Sequence, residues 1–186
     1  KDVYVRDVPA GTTVRANIAV GGGTVAAYGG QASLSDDGKV VAFDGQTGAA
    51  IVRTLATGVS ERVDLSSSEV PGNGQSDQVT LSSDGRYVAF STDSSNLVPN
   101  DTNGAYDVFV RDRQAGTTER VSVQQGGGQA SGGSYQPSIS GNGRYVAFLS
   151  LAADVVPGDT DGTSDVFRRD RIGLTTVRAS LSTGGA

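Results

Sequence analysis

Three ten-residue stretches of this chain are near copies of one another: "LSDDGKVVAF" from Leu34, "LSSDGRYVAF" from Leu81 and "ISGNGRYVAF" from Ile139. Self-similarity of this kind constrains the fold more than composition does, because each copy must build the same small unit and bury its apolar face on the next. A second element recurs as "DVYVRD" from Asp2, "DVFVRD" from Asp107 and "DVFRRD" from Asp165, with the degenerate "AAIVRT" from Ala49 in the corresponding place. A third follows each of these: "GTTVRA" at Gly11, "GVSERV" at Gly58, "GTTERV" at Gly116 and "GLTTVRA" at Gly173. The copies at Leu81 and Ile139 superpose at an offset of 58 residues without a gap, whereas Leu34 lies 47 residues before Leu81. The missing 11 residues fall between the first and second elements, where the longer copies carry "NLVPNDTNGAYD" and "DVVPGDTDGTSD". The units therefore share one architecture with an optional loop.

Each unit reads as four short strands. "QPSIS" supplies one, "GNG" or "SDG" a tight turn, and "RYVAF" the partner, with Tyr145 and Ala147 on one face and Val146 and Phe148 on the other. "DVFVRD" is the third strand, and a Gly-Thr-Thr turn leads into the fourth, "ERVSV". Helical periodicity is absent, and the 27 glycines fall mainly at turns and connections. The expected fold is all-β: β-propeller blades of four antiparallel strands in one segment spanning 1–186. A half blade occupies 1–20, a blade without the acidic loop 31–66, and blades with it 78–124 and 135–182.

"LSSDGRYVAF" followed by "DVFVRDR" and "GTTERVS" resembles the TolB-type propeller repeat, a relative of the WD-type blade. The resemblance covers nearly the whole chain and implies a blade of the kind found in TolB and in the propeller domains of tricorn and prolyl-oligopeptidase-type proteases. Such propellers serve as binding platforms, protease gates and scaffolds, so the repeat specifies the blade and not the function. Three and a half blades cannot close a ring, since propellers use four to eight. The expectation is a fragment of a longer propeller, or a chain completed by other protein chains. A homodimer would supply seven blades' worth of strands, although both half blades would then be the same half.

The optional loops carry the most suggestive chemistry. Asp-x-[Asn/Asp]-Gly-x-x-Asp places Asp101, Asn103 and Asp107 in one loop and Asp159, Asp161 and Asp165 in the next. These are hard oxygen donors of the type calcium takes, and Gly104 and Gly162 permit a sharp turn between them. The pattern resembles part of the loops of EF-hands, dockerins and thrombospondin-type repeats but lacks the bidentate Glu at the twelfth position of an EF-hand. Asp2 is a candidate last ligand of a third such loop. The competing reading is a set of Asx turns in which the same side chains cap backbone N–H groups. No Lys or Arg lies within either loop to neutralise the carboxylates, which favours calcium.

Composition then excludes much. The chain has no Cys and no His, so it holds no Cys/His zinc site, no Cys nucleophile and no Ser-His-Asp triad. Its formal charge is −5 with basic residues scattered singly, which argues against nucleic acid as a partner. No apolar run approaches the length of a membrane span. The strand-like start, "KDVYVRD", implies that any signal peptide has been removed or lies outside this sequence. Arg111 with Asp112, and Arg169 with Asp170, are candidates for bridging neighbouring blades; Glu61 and Glu119 occupy equivalent repeat positions, which points to structure. Tyr28, Tyr106 and Tyr135 are expected in loops where they could stack on a sugar ring.

The function these residues suggest is a non-catalytic, secreted, cell-surface or periplasmic bacterial propeller, stabilised by calcium and used for protein binding or assembly. The alternatives are the gating propeller of a serine peptidase, whose Gly-x-Ser-x-Gly turn this sequence lacks, and a carbohydrate-binding propeller.

Overall fold

A computed structural model describes residues 1–23, 27–45, 48–159 and 163–181. Its strands form one two-stranded and three four-stranded antiparallel sheets, each strand hydrogen-bonded to the next in sequence. The first sheet is β1 (Tyr4–Asp7) with β2 (Thr12–Arg15). The second runs β3 (Ala27–Leu34), β4 (Val40–Gly45), β5 (Ala50–Thr54) and β6 (Val59–Arg62). The third runs β7 (Ser76–Leu81), β8 (Tyr87–Thr92), β9 (Asp107–Asp112) and β10 (Thr117–Arg120). The fourth runs β11 (Ser134–Ile139), β12 (Tyr145–Ser150), β13 (Asp165–Asp170) and β14 (Thr175–Arg178). This is the expected half blade followed by three whole ones; they are called blades 0 to 3 below.

Local chemistry explains why the first two strands of each blade turn where they do. In blade 2 the Ser82 hydroxyl donates to Asp84 Oδ1 at 2.7 Å and accepts from Tyr87 N at 2.9 Å, while Asp84 Oδ1 also accepts from Arg86 N at 3.0 Å. Ser35 with Asp37, and Ser140 with Asn142, repeat the arrangement in blades 1 and 3. Gly85 closes this turn at φ 68°, in the left-handed region that a β-carbon disfavours. The fourth strand starts earlier than the sequence suggests, with Thr117 and Thr118 already paired to Asp112 and Arg111. It also ends sooner, because Val121 and Ser122 both donate to Val108 O and the Ser122 hydroxyl takes Val108 N, which breaks the regular ladder.

The core lies between blades. Each blade turns small or β-branched residues toward its successor and receives larger ones. Ala89, Val108, Val110 and Val121 of blade 2 meet Ile139, Val146, Phe148 and Phe167 of blade 3. Ala42, Ala50, Val52 and Val63 of blade 1 likewise meet Leu81, Val88, Phe90 and Phe109, and Val3 and Ala16 of blade 0 meet Val41, Phe43 and Ile51. The phenylalanines are direct cross-strand partners, Phe90 with Phe109 and Phe148 with Phe167, with ring centroids 6.1 and 5.8 Å apart. The turns are also chained: Asp36 N donates to Ser83 O and Ser83 N to Gly141 O, both at 2.9 Å.

Candidate functional site

In a meander of four strands, the loop between the second and third strands and the connection to the next blade emerge at the same end of the sheet. The acidic loops therefore sit beside the inter-blade connections. The loop of blade 2 runs from the end of β8 to Asp107, which begins β9 and is fully buried. Pairing of β9 with β10 sets Phe109 opposite Arg120, so the Arg120 side chain reaches diagonally back to Asp107.

Arg120 Nη1 lies 3.3 Å from Asp107 Oδ2 and 3.4 Å from Asp101 Oδ1, between the two carboxylates. Gln129 Nε2 donates to Asp101 Oδ1 at 2.9 Å, and the Ser122 hydroxyl donates to Asp107 Oδ1 at 2.7 Å. Asn103 Nδ2 donates to Ala130 O at 3.0 Å and to Asp107 Oδ2 at 3.3 Å, while its Oδ1 accepts from Ala105 N in an Asx turn. In blade 3, Arg178 Nη1 stands 3.3 Å from Asp159 and 3.2 Å from Asp165, and Ser180 donates to Asp165. Asp161 lies outside the described residues. The structure thus brings Asp101, Asn103 and Asp107 together, and Asp159 with Asp165, each set around an arginine. Among the described residues, no group of three or more acidic side chains is arranged to hold a metal ion.

That arginine is the component the loop sequences do not contain. It comes from the fourth strand, 13 residues beyond the last aspartate of each loop. Its signal was the Arg shared by "TTVRA", "SERV", "TTERV" and "TTVRA", residues 15, 62, 120 and 178. Blade 0 pairs Arg15 with Asp2. Blade 1 has Ala49 where the others have aspartate, and there the carboxylate moves to Asp64, which takes Arg62 in a bidentate pair at 2.8 and 2.7 Å. Asp64 occupies the place of Ser122 and Ser180. Every blade therefore keeps at least one arginine–carboxylate pair at this corner, whether or not it carries the long loop.

The charge balance of the corner is incomplete in blade 2. Two buried carboxylates face one guanidinium, and the pKa of Asp101 is raised, first by burial and then by Asp107, against the opposing pull of Arg120. Arg120 Nε is buried without a hydrogen-bond partner.

The ion pairs from one blade to the next are made by Arg113 and Arg171, one position beyond Asp112 and Asp170. Arg113 Nε donates to Glu61 Oε1 at 2.5 Å, and Arg171 Nε to Glu119 Oε1 at 2.7 Å, each from one blade to the one before. Both arginines lie in the turn past the strand end, where a long side chain can reach over. Asp112 and Asp170 stay within their own blades, paired to Arg86 and Arg144 at 2.6 and 2.7 Å; Arg86 holds the Asp112 carboxyl down at about 2. Arg111 contacts Ser66 O and Glu69 in the connection between blades 1 and 2, while Arg169 is held by Leu174 O and Thr176.

Beside the acidic loops are two grooves related by one repeat, of about 530 and 580 Å³. Both have an apolar wall, Leu97, Val98 and Pro99 in one and Val155, Val156 and Pro157 in the other. The rims differ: Ser66, Ser67 and Ser68 correspond to Gln124, Gln125 and Gly126. Asp154, on the second groove, already accepts from Gln124 Nε2 at 2.8 Å and Ser131 N at 3.0 Å. Tyr106 and Tyr135 pack on each other across the blade 2 to 3 junction, ring centroids 5.5 Å apart, and Tyr135 belongs to β11 rather than a loop. The side chain of Tyr28 lies outside the described residues.

Neither a family model nor a curated protein matches this chain. Among solved structures it is similar to TolB from Acinetobacter baumannii, with a TM-score of 0.60 and 16% identity over 95% of this chain and 37% of that one. It is also similar to a protein assigned as TolB from Agrobacterium tumefaciens, with a TM-score of 0.57 and 22% identity over 95% of this chain and 59% of that one. The tricorn protease gives a TM-score of 0.55 and 16% identity, over 91% of this chain and 15% of that one. The chain thus spans less than two thirds of the length of each. No helix among the described residues is long and apolar enough to cross a membrane. Sheet topology, inter-blade core and these likenesses agree on the fold: the chain is a run of β-propeller blades of the kind seen in TolB and tricorn.

Proposed function

We propose that this propeller segment is a non-catalytic binding scaffold, exposed to partners outside the cytoplasm at the cell surface or in the periplasm. The observation that carries it is the pair of congruent grooves. The repeat holds their apolar walls fixed while their rims change from serines to glutamines, which is how one frame presents different recognition chemistry. The wall and rim of the blade 2 groove include no titratable side chain, and the two in the blade 3 groove, Asp154 and Asp159, are already held by Gln124 and Arg178. A peptide-display library selected on the whole chain tests this reading. Enrichment that is lost when Ser68→Tyr and Gly126→Tyr fill the grooves supports it; no enrichment, or enrichment indifferent to both substitutions, overturns it. The same comparison on a glycan array tests carbohydrate as the ligand, with Tyr106 and Tyr135 as the stacking pair.

A second reading adds calcium at Asp101, Asn103, Asp107, Asp159, Asp161 and Asp165. What favours it is the net negative charge left by two buried carboxylates against Arg120, which a divalent cation would offset. Bound calcium would raise the melting midpoint by mass action. An unchanged midpoint with and without EGTA, together with no metal by elemental analysis, overturns it. The likeness to the tricorn protease favours a third reading, a peptidase gate, which requires a hydrolase domain in the same open reading frame.

A further inference from the structure

The third strands of blades 1, 2 and 3 carry one repeated arginine near their ends: Arg53, Arg111 and Arg169. Each is anchored in the same way. Its Nη1 donates to the carbonyl of the following turn, Gly58, Gly116 or Leu174, at 2.6, 2.9 and 3.0 Å. It also donates to the hydroxyl of Ser60, Thr118 or Thr176 at 3.1, 3.2 and 3.1 Å. The three differ in what balances the remaining charge.

In blade 2, Arg111 Nη2 donates to Glu69 Oε1, a residue of the connection arriving from blade 1. Glu69 sits in a turn closed by its own N–H on Ser66 O, at φ 62°. One repeat later the same turn is closed by Gly127 N on Gln124 O, at φ 87°, and a β-carbon on Gly127 would meet nothing within 4 Å. The backbone recurs there and the carboxylate does not. Among the described residues no carboxylate pairs with Arg53 or Arg169. Arg53 is only half-buried, so water balances it, whereas Arg169 is 7% exposed. Burial lowers the Arg169 pKa against the pull of Glu119 and Asp170, which are themselves engaged by Arg171 and Arg144. A guanidinium so placed is costly to leave unpaired. It faces back into the chain: Thr176, which holds it, donates to Val123 O of blade 2 at 3.1 Å. Arg120 Nε is the fully enclosed side-chain nitrogen without a partner among the described residues, so the unpaired Nη2 of Arg169 reaches the surface.

A second departure from the repeat falls at the same spot. A β-carbon on Gly116 would stand 3.3 Å from Glu69 Oε1 and 3.8 Å from Arg111 Nη2. Blade 3 has Leu174 at that position, held in the left-handed region at φ 53°. Backbone strain of this kind persists at ligand clamps among other sites. Leu174 thus sets an aliphatic wall beside the Arg169 guanidinium.

We propose that Arg169 anchors a carboxylate-binding site at the junction of blades 2 and 3, taking from outside the chain the group that Glu69 supplies one repeat earlier. A guanidinium and a carboxylate form a charge-assisted hydrogen bond that gains strength where water is largely excluded. The carboxylate belongs to a free small acid or to an acidic side chain of a bound peptide, and Leu174 packs on the methylene next to it. The site goes beyond the scaffold reading and does not rest on it.

An NMR titration of the whole chain, in chloride buffer at constant ionic strength, tests the site. Sodium acetate should shift the Arg169 Nε–H resonance saturably and leave that of Arg111, whose carboxylate is built in, unmoved. Loss of the resonance in Arg169→Lys assigns it. A blocked tripeptide with a central glutamate is the second probe: tighter binding than acetate identifies an acidic side chain as the ligand, weaker binding a free small acid, and either supports the site. Gly127→Glu supplies the carboxylate from within, in a turn that Glu69 shows to accept it, and should abolish the acetate titration while the melting midpoint holds or rises. A shift that never saturates overturns the proposal, as do equal shifts at Arg53, Arg111 and Arg169. Preference for inorganic phosphate over acetate, or an acetate titration that persists in Gly127→Glu, overturns it too.

Discussion

Gly143, the turn glycine of blade 3, lies so close to Tyr87 of blade 2 that a β-carbon on it would stand 2.1 Å from the ring's Cδ2. Gly38, at the same turn position in blade 1, has nothing within 4 Å, although both take a positive φ, 72° and 69°. Replacing Gly38 by alanine should therefore cost about 1 kcal/mol, the backbone penalty alone. Gly143→Ala should cost about 2–4 kcal/mol, because overpacking against a neighbouring blade is added. Urea denaturation of the two variants measures the difference, and equal losses would contradict the packing described.

Leu174 takes φ 53° at the place where Gly11, Gly58 and Gly116 stand at 67–68° in the other blades. A branched side chain in that region is strained, and Leu174 is too exposed to recover the cost by burial. Leu174→Gly is expected to stabilise the chain by about 0.5–1 kcal/mol, partly offset by the freer unfolded state. Thermal melting checks the sign.

Arg120→Met removes the one cation between Asp101 and Asp107 while keeping most of the volume. Leaving two buried carboxylates unpaired should destabilise by about 3 kcal/mol at neutral pH. Arg171→Ala, at a junction pair whose glutamate is half exposed, loses the Glu119 contact together with the hydrogen bond to Gly143 O and the face of Tyr87. Glu119→Ala loses only the ion pair and should cost under about 1 kcal/mol, less than Arg171→Ala. A double-mutant cycle separates the ion pair from the rest.

Asp44 is buried and accepts from Gln78 N and Val79 N of the next blade at 3.2 and 3.3 Å, yet burial raises its pKa to about 6. Asp77 adds to the rise. The folded pKa lies above the unfolded value of 3.8, so this group's contribution is complete below about pH 3.8 and is lost as pH rises through 6. Asp112 acts in the opposite sense, its contribution lost as pH falls from 3.8 towards 2. Acidification from pH 7 to 5 should therefore raise stability by about 1.3 kcal/mol, and Asp44→Ser should abolish the rise. A melting midpoint that falls over that interval in the wild type would count against it.

The blade was legible because its parts are local: Ser82, Asp84 and Gly85 specify a turn within four residues, and Tyr87–Phe90 alternate faces. The acidic corner was not, because its chemistry depends on strand pairing. Arg120 is remote from Asp101 in sequence and meets it only because β9 and β10 align Phe109 with Arg120. Asp112 and Asp170 do not bridge blades for a related reason. Asp112 has an arginine of its own across the β8–β9 pair, which frees the residue beyond the strand end to cross to the next blade.

The repeated Glu–Arg pairs between blades have a genetic corollary. Crossing over between the "RYVAF" segments at Arg86 and Arg144 would excise one 58-residue unit and bring Glu61 against Arg171, a joint already in use. Crossing over between the copies at Leu34 and Leu81 would excise 47 residues and put Arg113 in the blade after Val14, which holds the repeat position of Glu61. The second product leaves Arg113 without the carboxylate that Glu61 gives it, so the two deletions are not equivalent.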